Sequence, residues 1–183
     1  MSQKVRKIVV LGSRSVGKST LINQFVNEFY ADAYYPTIEN TYRKNIRYKG
    51  QDFECEILDT AGQDEFTPVN AKYAVGVQGY ILVYSIASRS SFEMTKIVRD
   101  KILSFTGSGY VPVVLVGNKS DLHSQREVTA EEAADLARSW NCEAVESSAK
   151  NNDNIAKIFD KMIIAIEHSL NPPAEARGSC VIF

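Results

Sequence analysis

The sequence predicts a three-layer α/β/α fold, with a six-stranded, mostly parallel sheet covered by helices on both faces and one antiparallel edge strand. Three observations carry this. Short apolar runs without alternation, at residues 7–11 (KIVVL), 80–84 (YILVY) and 112–116 (PVVLV), read as strands buried on both faces. Helical stretches separate them, which favours parallel neighbours. One pair of segments, in contrast, alternates in polarity across a tight turn, the pattern of a half-buried hairpin.

Taken in order, the first strand (7–11) is stopped by Gly12. A helix comes next at 19–29, with Leu21, Phe25 and Val26 at core spacing. Residues 42–48 and 53–58 flank a Lys49-Gly50-Gln51 turn and form the hairpin that supplies the antiparallel edge. The strand at 80–84 leads to a helix at 92–105, and the strand at 112–116 leads to a helix at 129–140. Thr129 and Glu132 have the spacing of a capping box at that helix's start. A last short strand at 142–146 precedes a helix at 155–166, whose Ile155, Ile158, Phe159, Met162, Ile163 and Ile166 share one face. Past His168 the composition shifts to Asn, Pro, Ala, Gly and Ser. Residues 1–169 are thus expected to form one domain and 170–183 a mobile tail. There is no internal repeat.

The 183 residues are 44 % hydrophobic, ordinary for a globular domain, with a core that needs no staples. The 21 basic and 22 acidic residues leave a net charge of -1, which argues against a general nucleic-acid binder. The three cysteines, Cys55, Cys142 and Cys180, are far apart and lack metal-type spacing, which suits a reducing compartment. The first seven residues are polar and basic, without a signal-type apolar region, and no run approaches the ~20 apolar residues of a membrane span. An intracellular protein that does not cross a membrane is expected.

Residues 12–19, Gly-Ser-Arg-Ser-Val-Gly-Lys-Ser, fit G-x-x-x-x-G-K-[ST] between a strand and a helix. Gly12 and Gly17 let the backbone curl so that successive N–H groups face phosphate oxygens, and the helix adds its positive end. Lys18 is placed to reach β- and γ-phosphates and the Ser19 hydroxyl to bind Mg²⁺. After the strand at 112–116 comes Gly117-Asn118-Lys119-Ser120-Asp121. A carboxylate there accepts from two adjacent donors on one base edge; guanine offers them and adenine does not, so Asp121 favours guanine. Lys119 can lie along the base face. Glu146-Ser147-Ser148-Ala149-Lys150 emerges beside the same pocket. Tyr30 has two readings, an edge-on cover for the base or a core aromatic.

Asp59-Thr60-Ala61-Gly62-Gln63 closes the second hairpin strand. Asp59 is placed to organise Mg²⁺ through water, Gly62 to bring its N–H to a γ-phosphate, and Gln63 to orient an attacking water. Thr37, in the loop before the hairpin, can give Mg²⁺ a second hydroxyl when the γ-phosphate is present. An order–disorder switch in residues 34–42 and 62–73 is the consequence, driven by one phosphate.

In this order, and over nearly the whole chain, the phosphate loop, Thr37, DTAGQ at 59–63, NKSD at 118–121 and SAK at 148–150 resemble the Ras superfamily. Within it the chain is most similar to the Rheb group, through Arg14-Ser15 where Ras has two glycines, Pro36-Thr37-Ile38-Glu39-Asn40-Thr41, and Gln63-Asp64-Glu65. Tyr35 departs from both, which carry Asp there. The resemblance implies a Ras-like P-loop domain acting as a small monomeric GTPase. It would bind GTP or GDP with Mg²⁺ and hydrolyse GTP slowly by in-line attack. It implies phosphate contacts from Arg14, Ser15, Val16, Gly17, Lys18, Ser19 and Thr20. Tyr30, Tyr34, Thr37 and Gly62 would contact the nucleotide from the switch side, and Asn118, Lys119, Asp121, Ser148, Ala149 and Lys150 would surround the base. Gln63, Lys18, Thr37 and Gly62 would be the catalytic set, and Ser19, Thr37 and Asp59, through water, the metal set. Ile38, Glu39 and Asn40 would face an effector, by resemblance the TOR kinase complex; a Ras-type kinase cascade is the alternative. A tuberin-like activating protein would supply an asparagine. Arg14 reads either as a built-in arginine finger or as a group crowding the place where Gln63 or a helper arginine acts.

The chain ends Cys180-Val181-Ile182-Phe183, a C-a-a-X pattern whose terminal Phe points to a geranylgeranyl group added by a prenyltransferase. With only Arg177 basic nearby and no second tail cysteine, attachment would be weak and peripheral, to internal membranes from the cytoplasm. Two rival readings are a metabolic phosphoryl-transfer enzyme, for which no substrate domain fits, and a nucleotide-binding module with negligible hydrolysis.

Overall fold

A computed structural model describes residues 4–33 and 35–172. Six strands form one sheet: β1 (Lys4–Gly12), β2 (Glu39–Tyr48), β3 (Gln51–Thr60), β4 (Gly79–Ser85), β5 (Val113–Asn118) and β6 (Glu143–Glu146). Their order across the sheet is β2-β3-β1-β4-β5-β6. Only β2 runs antiparallel, against β3, and it forms one edge, as expected. Four helices cover the sheet: α1 (Lys18–Asn27), α2 (Arg89–Thr106), α3 (Ala130–Ser139) and α4 (Ile155–Leu170).

Two cores lie on opposite faces of the sheet. On one, α1 and α4 bury Leu21, Ile22, Phe25, Ile158, Phe159 and Met162 against the β-strand side chains Ile8, Val10, Ile57, Ile81 and Val114. The rings of Phe25 and Phe159 stack with centroids 3.8 Å apart. On the other, α2 and α3 cover Val9, Leu11, Leu82, Tyr84 and Leu115 with Phe92, Val98, Ile102 and Ala137. All six apolar positions expected on the α4 face are buried. The Thr129–Glu132 capping box is formed, and a largely shielded Arg6–Glu167 ion pair at 2.7 Å ties β1 to α4.

The boundaries differ where polarity is silent. The hairpin strands reach Glu39 and Thr60, beyond the expected 42 and 58, because Glu39-Asn40-Thr41 pair with Thr60-Asp59-Leu58 through the backbone alone. Their side chains carry no apolar alternation to reveal it. The hairpin turn shrinks to Lys49-Gly50, both at positive φ (48° and 75°). Helix α2 begins three residues before Phe92, at Arg89, since the Ser88 side chain caps it by accepting from Ser91 N–H. Helix α4 runs to Leu170, one residue into the expected tail. The rest of that tail from residue 173, with Cys180, lies outside the described residues, as does Tyr34.

Because β1, β3, β4, β5 and β6 are parallel, their carboxyl ends share one edge of the sheet. Gly12, Thr60, Asn118 and Glu146 end four of these strands, so the phosphate loop, DTAGQ, NKSD and SAK emerge together. The chain turns to opposite sides of β1 at that edge, the place where doubly wound sheets bind ligands. Phe159→Ala should lower unfolding free energy by ~3–5 kcal/mol through the cavity it leaves. Urea unfolding with saturating GDP and Mg²⁺ measures this; a loss below ~1 kcal/mol would show that the α1–α4 core is not packed as described.

Candidate functional site

The phosphate loop bends between β1 and α1 around a Ser15 at φ 62° and a Gly17 at φ 96°. Gly17 has a second constraint, since a Cβ there would lie 2.4 Å from Asn118 Nδ2. Lys18 is buried and its Nζ donates to the carbonyls of Gly12 (3.0 Å) and Ser13 (2.8 Å), holding the loop around its own ammonium. Burial pushes the Lys18 pKa down to about 8, opposed by the charge of Asp59.

Asp59 stands in β3 opposite Val10 of β1 and is fully buried. Both of its carboxylate oxygens lack a hydrogen-bond partner. Burial raises its pKa above the ordinary carboxylate value, and the nearby Ser19 hydroxyl and Lys18 ammonium pull it back in part. The Ser19 Oγ shares its hydrogen bond with Thr37 Oγ1, at 2.6 Å. Two hydroxyls in contact beside an unpartnered buried carboxylate are the hard oxygen donors that Mg²⁺ takes. Among the described residues no three His, Cys, Asp or Glu side chains cluster, so the protein's donors would need completion by phosphate oxygens and water, the usual arrangement for Mg²⁺.

The switch side closes onto this loop. The Gln63 N–H donates to the Gly12 carbonyl at 2.9 Å. A Cβ on Gly62 would lie 2.2 Å from Arg14 Cγ and 2.6 Å from Arg14 Cα, so only glycine fits against the phosphate loop there. Arg14 is exposed, and its charge helps lower the pKa of exposed Asp64 behind hydrogen bonds from Thr67. Gln63 itself is buried, with Nε2 donating to its own loop's Ala61 carbonyl at 2.9 Å.

The three residues expected to face an effector, Ile38, Glu39 and Asn40, differ in their surroundings. Ile38 is 91 % exposed and Asn40 is exposed. Glu39 is engaged instead: its Oε2 meets Lys72 Nζ at 2.5 Å and the Tyr73 hydroxyl at 3.2 Å, joining the two switch segments. Sequence spacing gave no sign of this long-range tie. Nor did it show Lys101 of α2, whose Nζ donates to the carbonyls of Glu65 (2.6 Å) and Thr67 (2.9 Å).

The base loops converge as expected. One pocket is lined by Gly17, Thr20, Tyr30, Asn118, Lys119, Asp121, Ala149 and Lys150. Tyr30 lines this pocket and also packs against the α1–α4 core. Asn118 is a tie between loops: its Nδ2 donates to the Val16 carbonyl at 2.9 Å, and its Oδ1 accepts from Ser147 Oγ at 3.3 Å. Ser148 Oγ donates to Asp121 Oδ1 at 2.6 Å and so holds the carboxylate that faces the base pocket. A larger groove of about 670 Å³ lies between residues 65–69 and α2, but neither the phosphate loop nor the base loops line it. Gly17→Ala should weaken GDP binding at least ~tenfold, the equivalent of ~1.4 kcal/mol, by straining φ and displacing Asn118. Titration with a fluorescent GDP checks this; unchanged affinity would contradict the described loop contact.

The Ras family profile matches residues 7–168. The chain is 59 % identical to "GTP-binding protein rhb1" of Schizosaccharomyces pombe over 98 % of this chain and 97 % of that protein. It is 48 % identical to "GTP-binding protein Rheb homolog" of Dictyostelium discoideum, over 98 % of each chain. It is 44 % identical to "GTP-binding protein Rheb" of Homo sapiens, over 98 % of this chain and 97 % of that protein. Together with the strand-edge site these matches fix the assignment: the chain belongs to the Ras family and is a small GTPase, a molecular switch that binds GTP or GDP with Mg²⁺ and hydrolyses GTP.

Proposed function

We propose that this GTPase is a Rheb-type switch in which Thr37 and Gly62 report the γ-phosphate and Arg14 slows its loss. The observation that carries the reading is the Ser19–Thr37 hydroxyl pair beside the unpartnered Asp59 carboxylate. Ser19, Thr37 and, through water, Asp59 would hold Mg²⁺, which supplies charge compensation on the β- and γ-phosphate oxygens. Lys18 would move its ammonium from the loop carbonyls to those oxygens, and its lowered pKa reflects how fully it is shielded from water. The Gly62 N–H, brought against the phosphate loop, would meet the γ-phosphate, and Gln63 would swing from Ala61 to orient the attacking water. Asp121 would accept from the two adjacent donors of guanine, with Lys119 along the base face and Ser148, Ala149 and Lys150 behind it.

The contact of Arg14 with Gly62 supports crowding over an arginine finger, because the Arg14 stem fills the space beside the catalytic segment. An activating protein would then work better by supplying a small polar group, such as the asparagine that the resemblance implies for a tuberin-like protein. Exposed Ile38 and Asn40, with exposed Tyr35 beside them, support an effector surface for a TOR-like kinase complex, with Glu39 acting from within the switch. The Cys180-Val181-Ile182-Phe183 ending supports prenylation and weak attachment to internal membranes from the cytoplasmic side. Among the described residues no helix is long and apolar enough to cross a membrane.

Two measurements check this reading. Asp59→Asn should abolish most of the Mg²⁺-dependent slowing of GDP release, measured by stopped-flow fluorescence with and without a chelator; wild-type Mg²⁺ dependence would remove Asp59 from the metal set. Arg14→Gly should raise unaided single-turnover GTP hydrolysis ~3–10-fold, worth ~1 kcal/mol of barrier, with GDP affinity changed less than ~2-fold. Lost nucleotide binding in that variant would show Arg14 to be structural instead.

A further inference from the structure

Two residues outside the base pocket clasp its two loops together. Arg126 comes directly after the short 3₁₀ turn Ser120–Gln125 that carries Asp121. Its Nη1 donates to Glu146 Oε1 at 2.5 Å and its Nη2 to Glu146 Oε2 at 3.0 Å. The same Nη1 donates to the Val128 carbonyl at 2.9 Å, which pins the guanidinium plane. Glu146 is the last residue of β6. Its own carbonyl accepts from Asn154 Nδ2 at 2.9 Å, so the chain on either side of it is held.

Ser147 and Ser148, next in the chain, scaffold the base loop. The Ser147 N–H donates to the Gly117 carbonyl at 2.9 Å, and the Ser147 carbonyl accepts from Ser120 N–H at 3.0 Å. Ser148 Oγ then holds Asp121. The path from the Arg126 fork to the Asp121 carboxylate is therefore short: the fork holds Glu146, two residues of chain lead on to Ser148, and Ser148 holds Asp121. Neither Arg126 nor Glu146 lines the base pocket. Their side chains are 27 % and 28 % exposed, so solvent screens the attraction and the pair matters more for geometry than for energy. A bidentate guanidinium–carboxylate fork fixes direction in a way a single contact does not.

We propose that the Arg126–Glu146 fork is a positioning device for base selection, setting the angle at which Asp121 meets the guanine edge. The inference rests on the reading of Asp121 as the guanine-binding carboxylate. If the fork sets that angle, its loss hurts most the ligand that uses both carboxylate oxygens. GDP carries the exocyclic 2-amino donor, and inosine diphosphate lacks it while keeping the ring N–H. A residue that merely stabilised the fold would weaken both nucleotides equally.

The test is the ratio of GDP to inosine diphosphate affinity, measured by competition against a fluorescent GDP on the full chain with Mg²⁺. In Arg126→Met and in Glu146→Gln the ratio should fall at least ~threefold, and GDP release should quicken. The charge-swapped double variant, Arg126→Glu with Glu146→Arg, should recover part of the ratio. Arg126→Lys, which keeps the charge and loses the fork, serves where the methionine variant does not fold, and should shift the ratio in the same direction. Equal weakening of both nucleotides, or an unchanged ratio in the single variants while Asp121→Ala lowers it, overturns the fork's role. An unchanged ratio in Asp121→Ala overturns the base reading itself, and the fork's role with it.

Discussion

Asp59 is buried at the carboxyl end of β3 with both carboxylate oxygens unpartnered, near the buried Lys18, and the rest of the site is arranged around that constraint. A charge in such a place is costly to hold unless an opposite charge and hydrogen bonds compensate it. The protein supplies only part of the compensation: Lys18 gives its hydrogen bonds to loop carbonyls, and Ser19 shares its own with Thr37. In the proposed reading, Mg²⁺ with nucleotide phosphates would complete the set, in keeping with the Mg²⁺ binding of the Ras family. The parallel register is what makes the arrangement possible. Val10 opposite Asp59 and Gly12 opposite Val83 put the phosphate loop and the Asp59 carboxylate on adjacent strand ends.

From that point the coupling spreads through few contacts. Thr37 brings the first switch segment to Ser19, while Gly62 and Gln63 bring the second to Arg14 and Gly12. Glu39 joins the segments through Lys72 and Tyr73, and Lys101 ties the second to α2. Each of these contacts is a hydrogen bond or a close packing of small groups rather than a large apolar interface. Such a region opens at lower free energy than the two cores beneath it. The base side is built differently, with Asn118, Ser147, Ser148 and the Arg126–Glu146 fork joined by side-chain hydrogen bonds. In the proposed reading, a firm base grip beside a more loosely held phosphate reporter would be what a switch requires.

The fold was legible in the sequence because its core strands and helix faces are apolar and sharply bounded. KIVVL stops at Gly12, and the α4 face repeats at helical spacing through Ile166. The phosphate and base loops were legible because backbone curvature and donor chemistry restrict residue type at fixed spacing. What stayed hidden was set by long-range polar contacts. Nothing in Glu39-Asn40-Thr41 signals a strand, since backbone pairing alone makes it one, and nothing near Glu39 in the chain foretells Lys72. Gln63 is the plainest example: its residue type pointed to water orientation, while its side chain rests on Ala61. Arg126 and Glu146 are 20 residues apart and became a pair only once β6 lay beside β5.

If one phosphate, read at Thr37 and Gly62, sets the order of both switch segments, their amides must exchange differently in the two nucleotide states. Hydrogen–deuterium exchange with Mg²⁺ and either GDP or a non-hydrolysable GTP analogue shows this most directly. Residues 35–42 and 62–73 should gain protection with the analogue, while residues 113–121 and 143–150 should stay the same in both states. Equal exchange of the two switch segments with GDP and with the analogue would contradict control by that one phosphate.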